Sequence, residues 1–320
     1  MTNMARNRLL LNSFFLFLLP LIVAGFGLGV PATIALVVLL LLWRWAAVLS
    51  GIIAPEKTPD IMLETISASH FVEKVRWSMD RLGIDYTERQ SGGTLGAFFT
   101  GRSVPQLRVR TGIVQSVIGN SPDILRYLWA RFYASHGEKA RFLEPTQDRV
   151  ELEAKLDRYG RNLQVWIYYH LLPNRELALR AWGVDNPLVP AWQRLILRLI
   201  FPLQAALIRR SFAISAEHYE KSVLHIDALL ANVETRLADG RRSILGGDTI
   251  NYTDIAFAGL TGLWMQADGY GGGKADANRI EREDMPPKMR DDVERWLEDY
   301  PKVAAYVAQL YAEERRRTEQ

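Results

Sequence analysis

The chain has 320 residues, 48% of them hydrophobic and 23% charged, a globular composition with room for about two domains. That balance excludes a disordered tail, a collagen and a small disulfide scaffold. Cysteine is absent, which excludes disulfides, zinc–thiolate and iron–sulfur centres, and any cysteine nucleophile.

The formal charge of +3 is unevenly placed. Residues 1–53 contain Arg6, Arg8 and Arg44 and no acid, so residues 54–320 hold 36 basic and 36 acidic side chains. The larger part therefore has no basic excess, and no nucleic-acid partner is expected. Between Arg8 and Arg44 no residue is charged. One straight helix over that stretch would be roughly 52 Å long, against a hydrocarbon core of about 30 Å. The run Gly25-Phe26-Gly27-Leu28-Gly29-Val30-Pro31 is the natural break. The pattern predicts two short transmembrane helices, 9–27 and 31–49, forming an N-terminal hairpin within residues 1–53. Arg44 between Trp43 and Trp45 suits an interfacial belt with a snorkelling cation. A cleavable signal peptide is the competing reading, but the apolar stretch is too long and a second one follows directly. Arg6 and Arg8 ahead of the hairpin put both ends, and the soluble domains, in the cytoplasm. A single span would put the soluble part on the other side.

Residues 54–60 (Ala-Pro-Glu-Lys-Thr-Pro-Asp) form a polar linker. Residues 61–66 have the length and apolarity of a strand. Phe71, Val75, Met79 and Leu82 then share one helical face, and Gly83 supplies a stop. Strands are predicted at 85–89, 104–109 and 113–117, the last two separated by a turn at Thr111-Gly112. Ser121 and Pro122 open a helix through Ile124, Leu125 and Leu128. The order β-α-β then β-β-α is that of an α/β thioredoxin-like domain over 61–133.

Three blocks in this region resemble glutathione S-transferases: Ser69-His70-Phe71-Val72-Glu73-Lys74-Val75-Arg76 followed by Gly83-Ile84-Asp85-Tyr86; Gly101-Arg102-Ser103-Val104-Pro105-Gln106-Leu107; and Asn120-Ser121-Pro122-Asp123-Ile124-Leu125-Arg126-Tyr127-Leu128. The resemblance implies glutathione as cosubstrate and no metal. It implies a cis Val104-Pro105 bond that leaves the Val104 backbone free for the cysteinyl part of the tripeptide. Ser121, with Asn120 before it, would receive the γ-glutamyl end at a helix N-terminus. Ser69 would donate its hydroxyl to the glutathione sulfur as the catalytic residue, with Ser67 as the nearby competitor. Plain helix capping remains the alternative for both Ser69 and Ser121. Asn120 departs from the family pattern, which commonly has an acid there. The lack of cysteine at position 69 rules out dithiol exchange. No Gly-x-Ser-x-Gly occurs, and Ser69 and His70 are adjacent, which speaks against a serine hydrolase.

Residues 146–320 read as an all-α domain, which the resemblance also implies, with helices at 148–172, 217–237, 251–266 and 291–315. Asn251-Tyr252-Thr253-Asp254 resembles the family's buried capping box, a structural element. Residues 187–210 combine leucines and isoleucines with Arg194, Arg198, Arg209 and Arg210, so this segment is either a basic helix on an anionic membrane or a core helix interrupted at Pro202. Trp166, Tyr168, Tyr169 and Trp192 are candidates to line a hydrophobic cosubstrate pocket. His218 and His225 are not at metal-ligand spacing, and Gly269–Lys274 reads as a flexible loop.

The expected function is a membrane-anchored glutathione S-transferase-like protein acting on a hydrophobic small molecule, with membrane lipid as a partner and the homodimer usual for the family. The alternative is a non-catalytic module of the same fold that binds a protein or lipid. A channel formed by insertion has only the hairpin in its favour.

Overall fold

The computed structural model describes residues 18–50, 59–92, 104–111 and 114–315. Residues 9–17 of the first predicted span, Arg6 and Arg8, most of the 54–60 linker, Gly101-Arg102-Ser103 and the turn at Gly112 lie outside the described residues. The chain divides into two compact units, residues 1–61 with 108–116, and residues 62–107 with 117–320.

In the first unit, helix α1 (Leu19–Val23) runs into a π-helical turn at Ala24–Leu28 and then helix α2 (Gly29–Ser50). The break falls within the glycine-rich stretch because Gly27 and Gly29 have φ of 87° and 73°, a left-handed conformation that a side chain disfavours. The window Gly29–Ala46 of α2 is long and apolar enough to cross a membrane, and none of it is buried.

The second unit is built on a β-α-β crossover. Strand β1 (Asp60–Thr65) enters it at Met62, helix α3 (His70–Leu82) follows, and strand β2 (Thr87–Gln90) returns parallel, with Met62 opposite Thr87 and Thr65 opposite Gln90. Strands β3 (Gln106–Thr111) and β4 (Val114–Gly119) complete a four-stranded sheet of order β2-β1-β3-β4. Val72, Val75, Met79 and Leu82 bury one face of α3 completely. Gly83 ends the helix in the left-handed region, its N–H donating to the Met79 carbonyl at 3.0 Å. β2 starts two residues after the predicted 85–89 because the Tyr86 hydroxyl turns back to Asp80 on α3, at 2.7 Å. The Val104–Pro105 peptide is cis, as the resemblance implied. β3 begins after Pro105, which has no N–H for a ladder.

Helices follow: α4 (Ser121–His136), α5 (Gln147–Leu171), α6 (Arg175–Ala181), α7 (Ala191–Ser211), α8 (Ala216–Arg236), α9 (Tyr252–Met265), α10 (Pro287–Asp299) and α11 (Pro301–Glu314). The predicted α/β-then-α order holds, with four differences of detail. The helix expected over 291–315 is two helices, α10 and α11. Pro301 has no N–H to continue the ladder, and Tyr300 before it leaves the helical region at φ −126°, ψ 60°. Helix α6 has no counterpart in the sequence pattern; Asn174 caps it, accepting from the Leu177 N–H at 3.2 Å. α7 runs through Pro202 without interruption. The Arg198 carbonyl, which loses its i+4 donor there, accepts instead from the Arg175 guanidinium at 3.0 Å. The glycines of 269–274 form not a flexible loop but a tight turn in which Tyr270, Gly271 and Gly272 are buried.

α9 is placed as its sequence predicts. Asn251 accepts from the Thr253 N–H at 2.9 Å and Asp254 from the Asn251 N–H at 2.8 Å, closing the capping box. α9 lies close against α3: a Cβ added at Gly259 would stand 3.1 Å from the Lys74 backbone nitrogen.

Candidate functional site

A cavity of about 660 Å³ opens in the second unit. Its polar end is the loop between β1 and α3, with Ser69, His70 and the neighbouring Val104. Trp166, Ile167 and Tyr168 of α5 line it, as do Leu207 and Ile208 of α7 and Leu263 and Trp264 of α9. Tyr270, Arg279 and Met289 contribute further wall. Such a mostly apolar cavity with a few convergent polar groups is the usual form of a small-molecule site.

Ser69 stands at the N-cap position of α3, with extended backbone (φ −69°, ψ 122°), and its hydroxyl makes no capping hydrogen bond. Its backbone carries the turn: the Ser69 N–H donates to the Ile66 carbonyl at 2.9 Å, and its carbonyl accepts from the Val72 and Glu73 N–H groups, each at 3.0 Å. Ser69 lines the cavity beside the positive end of the α3 dipole. Ser67, by contrast, is buried and donates its hydroxyl to Gln90 Oε1. The loop is pinned from the far side by Tyr270, whose hydroxyl donates to the Ala68 carbonyl at 3.1 Å.

His70 is buried with Nε2 donating to the Gly160 carbonyl at 3.0 Å. Burial lowers its pKa to about 4, with Lys74 adding to the fall and the Gly160 hydrogen bond opposing it. The imidazole is therefore neutral at pH 7 and not a proton carrier there. Because the folded pKa lies below the ordinary value of 6.5, this group's stabilising share is complete above pH 6.5 and lost as pH falls towards 4. The loss amounts to about 3 kcal/mol at 1.36 kcal/mol per pKa unit. Denaturant unfolding between pH 7 and 4 should show His70→Gln losing less stability than the parent chain over that window.

Behind Ser69 lies a buried ionic network. Arg76, fully enclosed, donates to Glu73 at 3.0 Å and to Glu88 at 2.6 and 3.1 Å. Arg315 donates to Glu73 at 2.8 Å and to Asp80 at 2.7 Å, and Lys274 lies 3.3 Å from Glu88. Three cations and three carboxylates are thus balanced, as buried charge requires. Burial would raise the Glu88 carboxyl, but Arg76 and then Lys274 and Thr65 hold its pKa below the usual range. The glycine turn fits against this network: a Cβ at Gly272 would stand 2.7 Å from an Arg315 guanidinium nitrogen.

Of the residues singled out in the sequence, Ser69 and Val104 are in the cavity wall. Pro105 is buried directly behind Val104. Ser121, buried, is the first residue of α4, and Asn120 before it is exposed at φ 76°; neither lines the cavity. Among the four aromatic candidates, Trp166 and Tyr168 line the cavity. Tyr169 instead stacks on Tyr219 with ring centres 4.3 Å apart, and Trp192 is exposed, because the register of α5 and α7 turns these two away. Tyr270, Gln266 and Arg279 are wall residues that sequence reasoning missed. No sequence signal marks them, since they arrive from a segment whose glycines suggest only looseness. Among the described residues no group of three His, Asp or Glu side chains is placed to hold a metal.

Residues 216–309 match the family model of the glutathione S-transferase C-terminal domain. No curated protein sequence matches the chain. Among solved structures, it is similar to a glutathione S-transferase of Methylobacterium radiotolerans in complex with glutathione sulfonate, at 17% identity over 82% of this chain and 97% of that one, with a TM-score of 0.47. A theta class glutathione S-transferase of Xanthomonas axonopodis pv. citri with glutathione bound shares 18% identity over 80% of this chain and 94% of its own, with a TM-score of 0.43. FzlA from C. crescentus shares 13% over 79% and 88%, with a TM-score of 0.46. The segment from α8 into α11 is thus similar to the C-terminal domain of glutathione S-transferases.

Proposed function

We propose that the chain is a membrane-anchored glutathione S-transferase-like protein that joins the glutathione thiolate to a hydrophobic electrophile. One observation carries this reading: a serine hydroxyl, unused as a helix cap, stands at the N-terminus of α3 in the wall of an apolar cavity. A hydroxyl donor plus a helix terminus favours a thiolate at that spot. Lowering a thiol from about 8.5 to near 6.5 requires about 2.7 kcal/mol of preference for the charged form. One charge-assisted hydrogen bond and one helix end supply that order of energy.

In this reading Ser69 holds its proton towards the sulfur throughout. The thiolate lone pair forms the new C–S bond while the electron pair of the breaking bond leaves with the leaving group. Val104 offers its backbone to the cysteinyl part, and Asn120 with Ser121 receives the γ-glutamyl end, away from the apolar cavity. The electrophile occupies the apolar end against Trp166, Tyr168 and Leu263. Helix α2, exposed along its apolar length, supports membrane anchoring; with residues 9–27 as the first arm of a hairpin, Arg6 and Arg8 ahead of it put the soluble domains in the cytoplasm.

Calorimetric titration of the full chain in detergent with glutathione tests the reading, and no binding at millimolar ligand overturns it. With binding established, Ser69→Ala should raise the pKa of the bound thiol by about 1–2 units, read from thiolate absorbance, and slow transfer roughly 10- to 100-fold at pH 6.5. An unchanged thiol pKa would reduce Ser69 to a structural turn residue. The alternative, a non-catalytic binding module, is favoured by the position of Asn120 and Ser121 outside the cavity wall. That module binds a protein or lipid at the membrane, and it predicts no thioether formation from glutathione and an electrophile at any pH.

A further inference from the structure

Helix α7 is apolar on two opposite sides. Gln193, Leu197, Phe201, Gln204, Ala205 and Ile208 are buried and fix one side in the second unit. At 3-4-4 spacing on the other side stand Trp192, Leu195, Leu199 and Leu203, which are 52, 58, 70 and 61% exposed. An ordinary surface helix has one apolar stripe facing the core and a polar face towards water. Here the outward face is a row of large hydrophobic side chains left exposed among the described residues.

The charge around this face identifies what covers it. From Asn186 to Ala216 the chain has no acidic residue, and it carries Arg194, Arg198, Arg209 and Arg210. Arg209 and Arg210, in the last turn, are exposed and make no ion pair among the described residues. Arg194 is half-buried and Arg198 pairs with Asp185 at 3.4 Å, so Arg209 and Arg210 are the pair left for a headgroup, and an apolar strip ending in two such arginines complements an anionic lipid headgroup layer over hydrocarbon. α7 also forms part of the cavity. Leu207, one further step along the exposed row and 49% exposed, lines the cavity together with Ile208, Ser211 and Phe212.

We propose that the outer face of α7 docks on an anionic bilayer leaflet, so that the cavity opens at the membrane surface and takes an electrophile already partitioned into lipid. The docking stands on the helix alone; the substrate class rests on the glutathione-transferase reading above. Under that reading α2 holds the chain at a membrane, and docking by α7 then proceeds at the high effective concentration of a tethered partner.

The absence of cysteine makes the test clean, because each introduced cysteine is the only one in the chain. Spin labels at Leu195→Cys, Leu199→Cys and Leu203→Cys, with Leu224→Cys on α8 as an exposed control, are placed in the full chain. The chain is reconstituted in vesicles of phosphatidylcholine with and without about one-third phosphatidylglycerol. The expected result is that the three α7 labels become accessible to oxygen and protected from a water-soluble nickel reagent in anionic vesicles, while the Leu224 label stays aqueous. Arg209→Gln with Arg210→Gln should lower the docked-to-undocked ratio about 25-fold, each charge near the surface contributing about fivefold. Labels that stay water-accessible in anionic vesicles overturn the proposal. So does protection that follows protein-to-lipid ratio or persists in detergent, which would assign the face to a second copy of the chain. For the substrate class, Leu199→Ser with Leu203→Ser should slow turnover of a bilayer-partitioned electrophile several-fold and leave that of a water-soluble one unchanged. Equal effects on both overturn lateral entry. Glutathione titration of the same samples separates the two levels: lost docking with intact glutathione binding removes only the α7 proposal.

Discussion

Replacing Arg76 by leucine should lower the unfolding free energy by about 3–5 kcal/mol, the range found when one partner of a buried ion pair is removed. In a unit of this size that is a fall in melting temperature of roughly 10 °C. Glu73 would keep Arg315 at 2.8 Å, and Glu88 would keep Lys274 at 3.3 Å, but the network would be left with three carboxylates and two cations. The pH dependence identifies the cause. In the parent chain Arg76 and Lys274 outweigh burial and hold Glu88 below its ordinary pKa, so its stabilising share is present above the ordinary pKa and lost as pH falls through the folded one. Without Arg76, burial dominates and lifts the Glu88 carboxyl above its unfolded value. The variant then regains stability as pH falls through that raised pKa. Urea unfolding at pH 8 and pH 5 should therefore show the gap between the two proteins narrowing at pH 5. A constant gap would mean that lost packing, not uncompensated charge, is responsible. Arg76→Lys keeps the charge without the planar fork and should fall between the two. The guanidinium also approaches the Ser67 carbonyl at 3.5 Å, two residues before Ser69, so under the proposed function loss of Arg76 should weaken glutathione binding in the folded population as well.

Much of this arrangement was legible in the sequence, and the failures have physical reasons. The β-α-β unit was readable because α3 shows its periodicity locally and Gly83 stops it. The capping box at Asn251 and Asp254 is likewise a four-residue signal. Ser69 is legible as a candidate, but whether its hydroxyl caps α3 depends on backbone angles that composition does not encode. The break between α10 and α11 is marked by Pro301, but the apolar spacing continues across it and reads as one helix. Arg315 was beyond reach. Its partners Glu73 and Asp80 lie more than two hundred positions away, and a basic residue in Glu-Glu-Arg-Arg-Arg reads as solvated helix end. Tyr270 was hidden for the opposite reason: glycines that signal freedom in isolation here make room for Arg76 and Arg315. The two-sided apolarity of α7 is visible as composition, but which side is covered is decided by α6, Trp182 and Gly92, not by α7 itself.

Asp254→Ala should be at least as damaging, by about 4 kcal/mol or more, although Asp254 touches neither Ser69 nor the cavity. Its Oδ2 accepts from the Ser243 hydroxyl at 2.8 Å, the Asn251 N–H at 2.8 Å and the Asn251 amide at 2.9 Å. Its Oδ1 accepts from the Ile244 N–H at 2.8 Å and the Tyr306 hydroxyl at 2.9 Å. Five donors in a buried site would lose their acceptor together, and each unsatisfied buried group costs about 1–3 kcal/mol before relaxation. Burial raises the carboxyl's pKa, against the pull of the Asn251 and Ile244 N–H groups and the Ser243 and Tyr306 hydroxyls. Asp254→Asn keeps one acceptor oxygen but points an NH₂ at donors, and should fall only part of the way. The consequence reaches the cavity through α9. This helix starts at the Asp254 box, passes Gly259 against the Lys74 backbone, and brings Leu263, Trp264 and Gln266 to the cavity wall. Thermal unfolding followed by near-ultraviolet circular dichroism, which reports Trp264 and its tryptophan neighbours, should show Asp254→Ala losing fixed tertiary packing at lower temperature than helical content. A single coincident transition would show instead that α9 does not loosen ahead of the rest. Helix α9 would then be held chiefly by its apolar contact with α3, and the capping box would serve local helix initiation alone.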